Sequence, residues 1–181
     1  MQQSSCNLLF LDVSNISTTS RDTMLFNVEK LQKGCPKLTT LRTSNTMLGL
    51  NETPVREQVA APGFPLMEEL TIGVDNRGYF DGMDDGQIER MLKSSKHLKL
   101  LDIRGCKGIS DSTLVRLPAW DLEYLYVAGC SVTSSSRDGL ELLVKKWSKS
   151  LVELDMGLTS DQRTCDWAVM AFTEADDLRI R

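Results

Sequence analysis

Aliphatic residues recur along the chain in six copies of one short frame, apolar-x-x-Leu-x-apolar. The copies are Leu8-x-x-Leu11-x-Val13, Leu38-x-x-Leu41-x-Thr43, Met67-x-x-Leu70-x-Ile72, Leu98-x-x-Leu101-x-Ile103, Leu122-x-x-Leu125-x-Val127 and Leu151-x-x-Leu154-x-Met156. The central leucines are separated by steps of 30, 29, 31, 24 and 29 residues. Side chains alternate across a strand, so the fourth and sixth positions point the same way and predict a short strand with one buried face. Between the frames the period changes to 3.6. Met24, Leu25, Val28 and Leu31 predict one helical stripe, and Ile88, Met91 and Leu92 another. Leu140, Leu143, Val144 and Trp147 predict a third, with 134–136 as candidate caps, and Cys165, Ala168, Val169 and Phe172 a fourth. Each stripe could in isolation bind a membrane or a partner helix. Lying between two strand frames, each is better used as core.

A unit that cannot cover its own apolar face must stack on its neighbours, and each buried Leu or Ile then contributes roughly 1.5–3 kcal/mol. A step near 29 suits a leucine-rich repeat with a helix on its outer side, while the step of 24 leaves room only for a turn and a helical fragment. The expected fold class is α/β: a leucine-rich-repeat solenoid, a horseshoe arc with a parallel inner sheet and outer helices. Residues 1–181 read as one array of about six repeats. Two segments depart from the pattern. Residues 47–65 carry Pro54, Pro62 and Pro65 and predict at most a short helix after Pro54. Residues 73–86 are glycine-rich and acidic, with Asp75, Asp81, Asp84 and Asp85; their spacing does not match a calcium-binding EF-hand, and a solvated loop is the better reading.

The fourth and fifth frames carry a cysteine at their ninth position, Cys106 and Cys130, where a thiol can tuck inward and face loop carbonyls. Cys106 is followed by Ile109-Ser110-Asp111-Ser112-Thr113-Leu114, in which Ser110 or Asp111 is a candidate helix cap, and Cys130 by Val132-Thr133. Cys35-Pro36-Lys37-Leu38 closes a helix ahead of the second frame. These features resemble the cysteine-containing repeats of F-box/leucine-rich-repeat proteins, whose motif runs roughly C-P-x-L-x-x-L-x-L-x-x-C-x-x-I-T/S-D-x-x-L. The resemblance is strongest over residues 98–133, fair around 6–16 and 35–46, and loose over 47–86, where Thr46 and Asp75 stand at the ninth position. It implies substrate recognition within an SCF-type ubiquitin ligase, with the repeats holding a target protein. Skp adaptor and cullin would be reached only through an F-box, and none is found in this sequence. Leu117-Pro118 shares the opening of an F-box, but Leu122 already belongs to a strand. The frames run close to both termini, and a further step of 29 from Leu151 lands on Ile180, so the array reads as cut from a longer one at both ends.

Composition narrows the partners. A net charge of −4 argues against nucleic acid, which calls for a basic face. No apolar run approaches the roughly 20 residues that span a bilayer, and residues 1–11 lack a signal peptide's basic start. The five cysteines, Cys6, Cys35, Cys106, Cys130 and Cys165, are odd in number and scattered, which fits reduced cytoplasm or nucleus. Sequons at Asn15 and Asn51 read as chance in that setting.

The outward positions of the strands are the third (Phe10, Thr40, Glu69, Leu100, Tyr124, Glu153) and the fifth (Asp12, Arg42, Thr71, Asp102, Tyr126, Asp155). Leu100, Tyr124 and Tyr126 should lie side by side with Asp102, Arg104, Glu153 and Asp155 around them, aromatic anchors inside a charged rim. The same tyrosines also simply suit strands. An enzyme is not expected. No nucleotide, hydrolase or metalloprotease motif occurs, no cofactor is called for, and the single histidine, His97, precedes the fourth strand in a turn. Asp102 and Asp155 stand two strands apart, near enough for acid–base chemistry but on an open face. Three functions are therefore carried forward: the substrate-recognition repeats of an F-box protein, a repeat scaffold unconnected with a ligase, and a truncated product without activity of its own.

Overall fold

The computed structural model describes residues 7–16, 24–46, 48–74, 83–134 and 137–157, with residues 166 and 170. In chain order its elements are β1 (Phe10–Asp12), β2 (Met24–Phe26), α1 (Val28–Gly34), β3 (Thr40–Arg42), β4 (Leu48–Leu50), α2 (Val55–Ala60) and β5 (Glu69–Thr71). There follow α3 (Asp85–Leu92), β6 (Leu100–Asp102), α4 (Asp111–Arg116), β7 (Tyr124–Tyr126), a 3₁₀ turn at Ser131–Ser134, α5 (Arg137–Trp147) and β8 (Glu153–Asp155).

The chain is α/β, with a six-stranded parallel sheet in the order β1-β3-β5-β6-β7-β8. The strands pair frame on frame, so that Leu11, Leu41, Leu70, Leu101, Leu125 and Leu154 stand in one row across the sheet. The first, fourth and sixth frame positions of the inner strands are buried and, apart from the polar Thr43, share a single apolar cluster with Ile88, Met91 and Leu92 of α3 and with Leu143, Val144 and Trp147 of α5. The two end strands are more open, with Leu11 and Leu154 half-buried.

Several local expectations are corrected. Met24 and Leu25 are not helical; they belong to β2, which pairs in parallel with β4 in a small second sheet, and Leu25 is 67% exposed. The cause is Asn27. Its side chain accepts a hydrogen bond from the Lys30 N–H at 2.8 Å, which makes it the N-cap and starts α1 at Val28. Helix α2 follows Pro54 as predicted but buries none of its residues. Asp84 and Asp85 are structural residues rather than loop decoration. Asp84 forms a capping box with Gln87 at the start of α3. The Asp85 carboxylate accepts from the N–H and hydroxyl of Ser110 at 2.7 and 2.8 Å, tying the starts of α3 and α4 together. Burial raises the Asp85 pKa, but the Ser110 bonds outweigh it and hold the group below its ordinary value. Ser110 thus occupies the N-cap position of α4, but its side chain serves Asp85 and the Ser112 hydroxyl and caps no backbone N–H of the helix. Cys6, Asp75, Asp81, 135–136, the Leu140 side chain, the stripe residues Cys165, Ala168, Val169 and Phe172, and Ile180 lie outside the described residues.

Candidate functional site

The strand face is built by a repeated exit turn. At the eighth frame position the backbone turns left-handed, with φ of 57° at Asn15, 54° at Asn45, 75° at Gly105 and 73° at Gly129. Asn and Gly are the residues that tolerate this region. Each of these residues donates its N–H to a carbonyl of the next frame, Asn15 to Ser44, Asn45 to Gly73, Gly105 to Ala128 and Gly129 to Gly157, at 2.8–3.1 Å. Behind the turn the ninth-position side chain closes the frame. Cys130 donates its thiol to the Ile103 carbonyl at 2.8 Å, and Thr46 donates its hydroxyl to the Val13 carbonyl at 2.7 Å. Threonine and cysteine therefore do the same work at this position. Burial pushes the Cys106 thiol up to about 11 and the Cys130 thiol up to about 12, so both remain protonated at neutral pH.

The recurring aspartate of the fifth position has a local function. Asp12 accepts from the Ser14 N–H at 2.8 Å, Asp102 from Arg104 at 3.2 Å and Asp155 from Gly157 at 2.9 Å, always two residues ahead. This is the Asx turn, which steers the chain out of the strand. The bond from Ser14 is the main cause of a lowered Asp12 pKa.

All seven candidate residues come together on β6, β7, β8 and the turn after β6. Leu100 is opposite Tyr124, which is opposite Glu153; Asp102 is opposite Tyr126, which is opposite Asp155. Leu100, Tyr124, Tyr126, Glu153 and Asp155 are half-buried and Arg104 is exposed. Asp102 is the exception. It is 3% exposed and does not reach the surface. Its carboxylate is folded over Gly73, where a Cβ would stand 2.5 Å away, and is held by the Arg104 guanidinium at 2.9 and 2.6 Å. That ion pair is the main cause of a raised Arg104 pKa, and Arg104 also reaches Asp155 at 3.9 Å. Asp102 and Asp155 thus share one guanidinium, that of Arg104.

Further contacts on this face escaped the sequence reading. Arg42 pairs with Glu69 through two hydrogen bonds of 2.6 and 3.1 Å and lies 5.3 Å from the centre of the Phe10 ring. Lys99 pairs with Glu123 at 2.9 Å. The available signal was charge alternating between equivalent frame positions, Glu68, Lys99 and Glu123. Away from the sheet, Lys146 of α5 donates to the carbonyls of Leu114, Val115 and Leu117 at 3.1, 2.7 and 2.5 Å, capping the end of α4. Burial lowers its pKa to about 8. Among the described residues no three His, Cys, Asp or Glu side chains converge as a metal site, and no helix is long and apolar enough to cross a membrane.

These features define an α/β protein that displays one ribbon of aligned aromatic, aliphatic and charged side chains along a parallel sheet. No protein-family model matches the sequence, and a search of curated proteins finds no match.

Proposed function

We propose that the chain is a protein–protein interaction module, similar to the substrate-recognition repeats of an F-box protein in an SCF-type ubiquitin ligase. In this reading the six strands line the concave side of a leucine-rich-repeat solenoid, a horseshoe arc, and the ribbon around Tyr124 and Tyr126 grips a target protein. The single observation that carries it is the in-register placement of Leu100, Tyr124 and Tyr126 on adjacent strands, rimmed by Arg104, Glu153 and Asp155. Half-buried tyrosines inside a charged rim are the composition of an interface hot spot. The target is marked for degradation by machinery reached through an F-box, with Skp adaptor and cullin as indirect partners. The site of action is the cytoplasm or nucleus, in keeping with the buried thiols of Cys35, Cys106 and Cys130 among the described residues, which form no disulfide.

The test is affinity capture from lysate with the full-length protein, compared with a Tyr124→Ala/Tyr126→Ala variant of unchanged circular dichroism. The expected result is a target that co-purifies with the Skp adaptor and is lost from the variant while the adaptor is retained. A target captured without adaptor assigns the chain to a scaffold with no ligase connection. Capture that the double substitution leaves unchanged removes this face from consideration.

A further inference from the structure

The sheet builds the same three-part contact twice from its own residues. Arg42 lies over the Phe10 ring, 5.3 Å from its centre, while its guanidinium grips the Glu69 carboxylate. Arg104 lies over the Tyr126 ring, also at 5.3 Å, while its guanidinium grips the Asp102 carboxylate. In both, the negative face of a ring and a nearby carboxylate hold one arginine between them, and the two attractions act on the same planar cation.

A third ring and carboxylate stand beside these. Tyr124 on β7 is directly opposite Glu153 on β8, and Leu100 flanks the tyrosine from β6. Among the described residues no arginine or lysine of the chain is placed on this pair. The nearby basic groups are engaged elsewhere, Lys99 with Glu123 and Arg104 with Asp102 and Asp155. The field of Glu153 reaches its neighbours: after burial, it is the next cause of the raised Tyr126 pKa.

We propose that Tyr124, Glu153 and Leu100 form a receptor for an arginine side chain on an extended segment of the partner protein. The guanidinium stacks on the Tyr124 ring and pairs with Glu153, and its aliphatic stem runs along Leu100. Arginine is favoured over lysine because a planar fork both stacks and binds a carboxylate through two hydrogen bonds. The inference rests on the reading of this face as the partner surface and adds the chemistry that it selects.

The experiment is selection of a random-sequence peptide display library on the full 181-residue chain, followed by fluorescence anisotropy with the enriched peptides. Peptides with a recurrent arginine are expected. Replacing that arginine by citrulline, its neutral isostere, should weaken binding about tenfold, as should Tyr124→Ala, and Glu153→Gln should weaken it about fivefold. Glu153→Lys should abolish binding and, in a repeat selection, enrich acidic residues instead. Enriched peptides that lack a basic residue yet lose binding with Tyr124→Ala/Tyr126→Ala overturn the arginine receptor and leave the wider surface standing. Peptides indifferent to all of these substitutions overturn the arginine receptor alone and leave the wider surface to the capture test. Failure to enrich any peptide overturns the arginine receptor alone, because a surface that recognises a folded target is still open to the capture test. Glu153 is half-buried at a strand edge position, and circular dichroism of the Glu153→Gln chain verifies that the fold is retained.

Discussion

Four strands, β1, β3, β6 and β7, leave the sheet through a left-handed turn that admits few side chains, and Gly105 is a tightly constrained one of these positions. Its φ of +75° already disfavours a Cβ, and an added Cβ would stand 2.7 Å from the Val74 side chain and 2.9 Å from the Val74 carbonyl oxygen. Gly105→Ala is therefore expected to destabilise the fold by about 1–3 kcal/mol, read as a lowered urea midpoint at unchanged slope. The residue scale also shows why the recurring Asp12, Asp102 and Asp155 read ambiguously in the sequence. Aspartate serves an Asx turn, an ion pair or a catalytic couple equally well. The distinction rests on whether the carboxylate meets its own backbone two residues ahead, and all three do. Asp102 was legible as an outward position, but its burial was not, because it depends on Gly73, just after the neighbouring strand β5, leaving space for the carboxylate.

Between elements, the contact most remote from any sequence pattern is a buried ion pair. Glu29 on α1 accepts two hydrogen bonds from Arg90 on α3, at 2.9 and 3.0 Å, and Arg90 also donates to the Asn51 carbonyl after β4 at 3.0 Å. Glu29 is only 4% exposed, so the pair bolts two helices across the short helix α2, which itself buries nothing. Burial raises the Glu29 pKa, yet the Arg90 bonds overcome it and leave the group below its ordinary value of 4.5. A carboxylate with a depressed pKa in the folded state contributes stability that is complete above 4.5 and is lost as pH falls through the folded value. Stability should thus hold from neutral pH to about 5 and decline below it. Glu29→Gln leaves the Arg90 charge buried without a counter-ion, and should remove about 3 kcal/mol at neutral pH and flatten part of the acid decline. Urea titrations at several pH values check both. A helical stripe marks its charged positions as solvent-facing by default. Only the packing of two helices 61 residues apart in sequence reveals that these two charges are buried together.

For the whole molecule, one row of leucines crosses six parallel strands, and its members are not equivalent. Leu41, Leu70 and Leu101 are fully buried, whereas Leu11 and Leu154 on the end strands are half-buried. Leu101→Ala is expected to cost about 2–5 kcal/mol and Leu154→Ala under half as much, a gradient that paired denaturation curves measure directly. A gradient in the opposite sense would show that the stacked row is not what holds the sheet together.

The amino-acid sequence by itself determined the six strands of the main sheet, their parallel order and the residues sharing the Tyr124 ribbon. These follow from a period of two inside each frame and a near-constant step between frames, and both are local regularities that one chain repeats. Tertiary structure alone decided which charges are buried, that Met24–Phe26 pairs with Leu48–Leu50, and that the Thr46 hydroxyl meets the Val13 carbonyl. Each of these depends on what a neighbouring frame presents, a carbonyl, a guanidinium or a glycine without a Cβ, and no periodicity within a single frame encodes its neighbour.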